Sequence, residues 1–309
     1  VVTWGHPETY DPNYYNSGGK ISFVANKLDG NVDVVSLTSA RNTFSALLED
    51  GSVVSWGGTM GGNFEEEFQN FPASLDGLNK VLEIVSTDYN YAALHDDGSV
   101  TTWPSMIVDE VDVVNVTTND YAFAAIKVDG SVVSWGGVDN GGDYFDVESQ
   151  LDGSVNVTEI VGARNSFAAI REDGSVVTWG NDINGGDSLS VASEINGEID
   201  VIEIIPSSNR YGNSGAYAAL REDGSVVTWG NNLSGGDSSA VASELNGDID
   251  VIKIVSNESS FAALREDGSV VTWGEDSNYG NNTGGDSSAV ASDLDGTIDV
   301  IEIIEGSSS

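Results

Sequence analysis

Hard oxygen donors on glycine-flexed loops are the residues of this chain best suited to chemistry. Asn181, Asp182, Asn184 and Asp187 surround Gly185-Gly186, and Glu275, Asp276, Ser277 and Asn278 follow one another. The Gly-Gly-Asp step recurs at Asp237 and Asp286. Ca²⁺ prefers several oxygen ligands on flexible segments, so Asp182, Asn184, Asp187, Asp237, Asp276 and Asp286 are candidate calcium ligands. The competing reading is that Asn and Gly make the turn, Asp keeps it soluble, and no ion binds. No other cofactor is expected. The two histidines, His6 and His95, fall in unrelated segments, and His95 reads as an exposed hairpin residue in a slot that is Arg in closely related segments. The chain has no cysteine, which excludes disulfides, thiolate metal sites and a Cys nucleophile. No nucleophile–base pair stands out, and carboxylates are too numerous for any pair to be informative.

The elements that position these loops come from a repeated phrase. Residues 167–180 (FAAIREDGSVVTWG), 217–230 and 261–274 are near-copies. Looser copies end at Trp56, Trp103 and Trp135, and a seventh begins at Val1 as VVTWG with Trp4. The Trp-to-Trp steps are 52, 47, 32, 44, 50 and 44 residues, about 45 on average. A period of that size built from short β segments predicts one propeller blade per repeat. In the period 199–247, residues 199–205, 217–221 and 225–229 read as strands and 239–245 as a weaker fourth. Asp223-Gly224 reads as a two-residue hairpin turn, which would set Ala218 opposite Trp229 and Leu220 opposite Val227. Small alanines would then make room for the indole. Both faces of the strand pair are apolar, so both must be covered, as blades are by their neighbours.

The phrase aromatic-A-A-L-x-x-D-G-S-V-V-x-W-G-N, followed by a Gly-containing loop, resembles the regulator of chromosome condensation repeat over essentially the whole chain. The resemblance implies a seven-bladed β-propeller. Two departures stand out: Gly-Gly-Asp-Ser replaces the family's Gly-Gln-Leu-Gly after the Trp strand, at 185–188, 235–238 and 284–287, and Phe or Tyr replaces its His before the second strand. The family's activities belong to loops on the scaffold, so they do not transfer through these changed positions.

Antiparallel strands alternate their connections between two faces. The loops after the first and third strands share one face, and nearly all the length variation between repeats falls there. Residues 6–20 hold Tyr10, Tyr14 and Tyr15; residues 57–70 hold Met60, Phe64 and the acidic run 65–67; residues 206–215 insert Arg210 and Tyr211; residues 275–285 insert Tyr279. Tyr89 and Tyr144 complete the candidate partner-binding set. Variable aromatic loops on a rigid scaffold are where recognition sits; the plainer alternative is drift in tolerant surface loops.

Fifty acidic residues against eleven basic ones give a net charge of −39. That excludes ordinary nucleic-acid binding, which needs cations to neutralise phosphates, and it disfavours anionic membrane surfaces. No apolar run is long enough to span a bilayer. Residues 1–309 are expected to form a single all-β domain, a seven-bladed propeller with roughly four-stranded blades, as a mature form or part of a longer chain. Only six FAAL-type strands occur against seven Trp strands, so the closing blade is expected to join residues 298–303 to residues 1–5. A segment preceding Val1, or a strand donated by a neighbouring chain, would fill the gap. The expected function is a secreted or surface-displayed, non-enzymatic module that binds a protein or a glycan. A structural building block of an adhesin, filament or coat is the alternative, and an enzyme with a loop-borne site is the third reading.

Overall fold

The described residues of the computed structural model are 24–57, 72–104, 110–209, 214–275 and 285–304. β-branched and aromatic runs closed by Asp-Gly and Asn-Gly turns become short strands, and among the described residues these form six three-stranded antiparallel sheets, each in chain order. Helical structure among the described residues is limited to short 3₁₀ segments. The chain divides into two compact units, Val1–Tyr121 and Ala122–Ser309. The first holds β1 (Val34–Ser39), β2 (Thr43–Leu48), β3 (Val53–Gly57), β4 (Val81–Ser86), β5 (Tyr91–His95), β6 (Val100–Trp103) and β7 (Val113–Thr118). The second holds β8 (Ala122–Lys127), β9 (Val132–Gly136), β10 (Val157–Gly162), β11 (Ser166–Arg171), β12 (Val176–Gly180), β13 (Val201–Asn209), β14 (Ser214–Arg221), β15 (Val226–Gly230), β16 (Val251–Ser256), β17 (Ser260–Arg265) and β18 (Val270–Gly274).

The hairpin register differs from the sequence expectation by one residue. Tyr217 pairs with Trp229, Ala218 with Thr228 and Leu220 with Val226. Arg221 N–H donates to Ser225 O (2.9 Å) and Gly224 N–H to Arg221 O (3.0 Å). Three residues, Glu222 to Gly224, therefore make the loop: a turn closed by Gly224 at φ +74° in place of a two-residue turn. Because side chains alternate, the slip exchanges every partner. The indole meets an aromatic ring and not an alanine. Six such stacked pairs, from Phe44–Trp56 to Phe261–Trp273, have centroids 5.1 to 5.7 Å apart.

The small-against-large packing exists between sheets. In the second unit, Ala216, Ala218 and Leu220 of β14 receive Phe261, Val271 and Trp273 from the next sheet. Ala168 and Ile170 of β11 receive Tyr217, Val227 and Trp229, and Ala122, Ala124 and Ile126 of β8 receive Phe167, Val177 and Trp179. Leu47 and Val53 meet Tyr91 and Trp103 in the same way in the first unit. Within each unit these neighbouring sheets thus stack face to face, which explains why strands apolar on both sides are stable. Polar bonds fix the spacing. Trp179, Trp229 and Trp273 donate Nε1–H to the carbonyls of Gly141, Gly185 and Gly235 in the preceding repeat, each at 3.1 Å.

The weak fourth strands are not strands. Ser239–Glu244 and Ser288–Asp293 are 3₁₀ helices, as are Leu189–Val191, Glu148–Gln150 and Ala73–Leu75. Their Ser- and Ala-rich stretches lack the β-branched run a ladder favours, and the Asp237 and Asp286 carboxylates accept the N–H groups of Ser239 (2.9 Å) and Ser288 (2.8 Å) at their starts. Contact with the third strand shrinks to single backbone bonds, such as Val226 N–H to Leu245 O (2.9 Å). Among the described residues, the repeats expected with roughly four strands therefore have three. Residues 298–303 form no strand; they are tied by Val300 N–H to Gly268 O (3.0 Å) and by Lys253 Nζ to Ile303 O (2.7 Å). Residues 1–5, their expected partner in a split blade, and Trp4 with them, lie outside the described residues.

His95 is buried, not exposed. Its Nε2 lies 2.8 Å from Thr101 Oγ1 and its Nδ1 3.1 Å from the Asn79 carbonyl. A carbonyl only accepts, so Nδ1 carries a proton directed at Asn79 O. The longer Arg of other repeats instead reaches out to a Ser, as Arg221 does to Ser225 at 2.7 Å.

Each hairpin Asp clamps the Ser two residues on. Asp97 accepts from Ser99 Oγ (2.6 Å), Ser99 N–H (2.9 Å) and Asn79 Nδ2 (3.0 Å). These bonds favour the carboxylate, the Ser99 hydroxyl most, and bring its pKa down to about 2. A depressed folded-state pKa contributes stability above the unfolded value of 3.8, and that contribution is lost as pH falls toward about 2. Asp97→Asn should therefore melt below the parent at pH 6, with the gap closing between about pH 4 and about pH 2. A gap constant with pH would mean the ionised carboxylate is irrelevant.

Candidate binding cleft

Gly141-Gly142-Asp143 ends the turn after β9. Asp143 accepts the N–H of Phe145 (3.0 Å), and Tyr144 O accepts that of Val147 (2.9 Å). This local bonding fixes the Tyr144-Phe145 step. Tyr144 and Val147 lean, half-buried, on the core between β8–β9 and β10–β12. Phe145 points out and is 78% exposed. The next repeat builds the facing wall the same way. Asp187 accepts Leu189 N–H (2.8 Å), while Thr178 Oγ1 donates to Gly186 O (2.9 Å). Between the walls lies a cleft of about 970 Å³, floored by Val176–Gly180 (β12). It runs from Val138 and Asp182, in the loops after the third strands, to Arg171, Ser175 and Asn196 at the hairpin end. The cleft therefore runs along the rim of a sheet and is not confined to the variable face.

Its chemistry is acidic and apolar together. Asp139, Asp143, Asp146, Asp182 and Asp187 line it, with Arg171 the one cation among the lining residues. That guanidinium is engaged internally, with Nε 2.8 Å from Ser175 Oγ and 3.8 Å from Asp173. Phe145, Leu189 and Val138 add exposed apolar surface at the rims.

Of the sequence-predicted binding residues, Tyr144 lines this cleft. Tyr89 lies in the first unit, where its hydroxyl accepts from Arg41 Nη1 (3.0 Å) and its ring stacks on Tyr121 at 6.2 Å. Tyr10, Tyr14, Tyr15, Phe64, Arg210, Tyr211 and Tyr279 lie outside the described residues. Phe145, Arg41 and Tyr121 were missed by sequence reasoning. Repeat register carries the signal: Tyr144-Phe145 stands where sister repeats hold Ser188-Leu189, Ser238-Ser239 and Ser287-Ser288. Arg41, Tyr89 and Tyr121 all lie in turns after first strands. The two kinds of loop adjoin, since Asn181 and Asn231 donate their N–H groups to Asn165 O and Gly215 O, each at 2.9 Å.

Of the predicted calcium ligands, Asp182 and Asp187 line the cleft, and Asp237 and Asp286 cap the 3₁₀ segments described above. Asn184 is buried and its Oδ1 accepts Gly215 N–H (3.1 Å). Asp276 lies outside the described residues. No group of three or more acidic or His side chains placed to hold a metal occurs among the described residues. The calcium reading requires the melting temperature to rise more with millimolar Ca²⁺ than with Mg²⁺ at fixed ionic strength. Equal shifts, following ionic strength alone, would refute it, because screening relieves the repulsion of a −39 chain whichever cation supplies it.

No helix among the described residues is long and apolar enough to cross a membrane. No family model and no curated protein matches the chain. Among solved structures it is similar to Prp20p from Saccharomyces cerevisiae, at 16% identity over 83% of this chain and 77% of that one, with a TM-score of 0.48. It is similar also to the CRINKLY WD40 ectodomain of the Arabidopsis thaliana receptor kinase ACR4, at 15% identity over 83% of each chain, TM-score 0.44. A third is the computationally designed Ika8 protein, at 14% identity over 78% of this chain and 71% of that one, TM-score 0.35.

Proposed function

We propose that this chain is a non-enzymatic binding module, secreted or displayed at a cell surface, whose repeats close into a seven-bladed β-propeller that recognises a protein or glycan partner. Face-to-face stacking of neighbouring sheets within each unit supports the ring, because a repeat buries its aromatic face only against a neighbour. The closing blade in this reading takes its Trp strand from residues 1–5.

One observation carries the binding role. Sister repeats hold Ser-Leu or Ser-Ser after Gly-Gly-Asp, and one repeat instead presents Tyr144-Phe145 over a cleft. A large apolar ring held in water by a rigid turn contributes nothing to folding and is what a recognition surface needs. Phe145→Ser installs the residue found at Ser239, so the melting temperature should not change. Parent and variant are to be compared on a peptide array and a glycan array. At least one ligand class should bind the parent and weaken about tenfold on the variant, the loss of about 1.4 kcal/mol of contact. Identical profiles would sink the reading.

A further inference from the structure

The shape and charge of the cleft narrow the partner, given the binding role just argued. The floor is one strand, β12, half-exposed at Val176 and Gly180 and buried between them, and the cleft follows its length between two walls. A ligand following that floor is long and narrow, which fits a peptide in extended conformation. The walls carry five carboxylates against one internally bonded guanidinium, and the apolar rims of Phe145 and Leu189 face the same space. An anionic segment would meet repulsion along the whole cleft, and a purely apolar one would leave the carboxylates facing it without counter-charge.

We infer that the cleft between Asp139–Gln150 and Asp182–Asn196 docks an extended cationic peptide whose Arg or Lys residues alternate with apolar ones. The cationic side chains reach Asp139, Asp146, Asp182 and Asp187, while the apolar ones cover Phe145, Leu189 and Val147. Arginine suits the position beside Phe145 better than lysine, because its planar guanidinium also stacks on the ring.

A chain of net charge −39 attracts any polycation, so the test must separate the cleft from the general field. The probe is a fluorescein-labelled octapeptide of alternating arginine and leucine, read by anisotropy at about 0.15 M ionic strength, where the Debye length is about 8 Å. Its counterpart has glutamate in place of arginine. The cleft variant combines Asp146→Ser with Asp182→Asn, installing what sister repeats hold at Ser190 and Asn232. The control variant, Glu222→Gln with Glu266→Gln, removes the same charge from hairpin ends.

The arginine peptide should bind the parent, weaken about tenfold on Phe145→Ser and several-fold on the cleft variant, and change less than about twofold on the control. The glutamate peptide should not bind. Equal weakening by the cleft and control variants would overturn the proposal in favour of a diffuse field effect. Failure of the arginine peptide, with an anionic peptide or a glycan lost on Phe145→Ser, would overturn the charge assignment and leave the binding role standing. Failure of every ligand class to respond to Phe145 would remove both.

Discussion

Trp179→Ala is expected to destabilise the protein by roughly 3–5 kcal/mol, the range for truncating a large buried aromatic. The indole is 4% exposed, stacks on Phe167 at 5.3 Å, and spans two sheets through its 3.1 Å bond to Gly141 O. Three losses coincide at one residue: buried apolar area, an aromatic pair, and the bond that fixes the spacing between sheets. Removing the indole also leaves a cavity between sheets held rigid from both sides, where collapse is resisted. Urea unfolding followed by circular dichroism gives the measurement. A loss below about 1 kcal/mol, the level of an ordinary surface change, would mean the indoles do not hold the sheets together. The same substitution at Trp4 tests the closed ring. A seventh blade built from residues 1–5 requires Trp4→Ala to cost as much as Trp179→Ala. A silent Trp4→Ala would remove the closing blade from the proposal.

Gly235→Ala should cost roughly 2–5 kcal/mol, although it adds one methyl group. Gly235 has φ +89°, where a Cβ is strained by about 1–2 kcal/mol. That Cβ would lie 2.5 Å from Cδ2 of Phe261, a ring 2% exposed and stacked on Trp273 at 5.3 Å. The ring has no room to yield, so overpacking adds about 1–3 kcal/mol. Gly30 isolates the two contributions. Its φ is +92° but an added Cβ meets nothing within 4 Å, so Gly30→Ala should show the backbone strain alone. Equal losses at the two positions would show that the close approach of ring and backbone is unimportant.

The strands were legible because period-two apolar runs, Asp-Gly turns and an approximately fixed repeat are local properties. So was the need for cover on both faces, since β14 and β15 carry apolar residues on each of them. The hairpin register was not legible. Asp-Gly serves both two-residue and three-residue turns, and only the bonds of Arg221 to Ser225 and Gly224 decide between them. That one-residue difference moved the partner of Trp229 from Ala218 to Tyr217 and shifted the small-against-large packing from within a strand pair to between sheets.

The sequence alone determined an all-β chain of repeated Trp strands, its acidity, its lack of thiol chemistry, and Tyr144 as a residue of interest. Those follow from composition and spacing, which survive without coordinates. Tertiary structure decided that the fourth segments are 3₁₀ turns, that His95 is buried, and that Tyr144 and Phe145 share a cleft with Asp182 and Asp187 of the next repeat. Such a cleft is a relation between residues some forty positions apart along a period of about 45. It exists only once burial of the Phe167–Trp179 pair against β8 has set the two walls side by side.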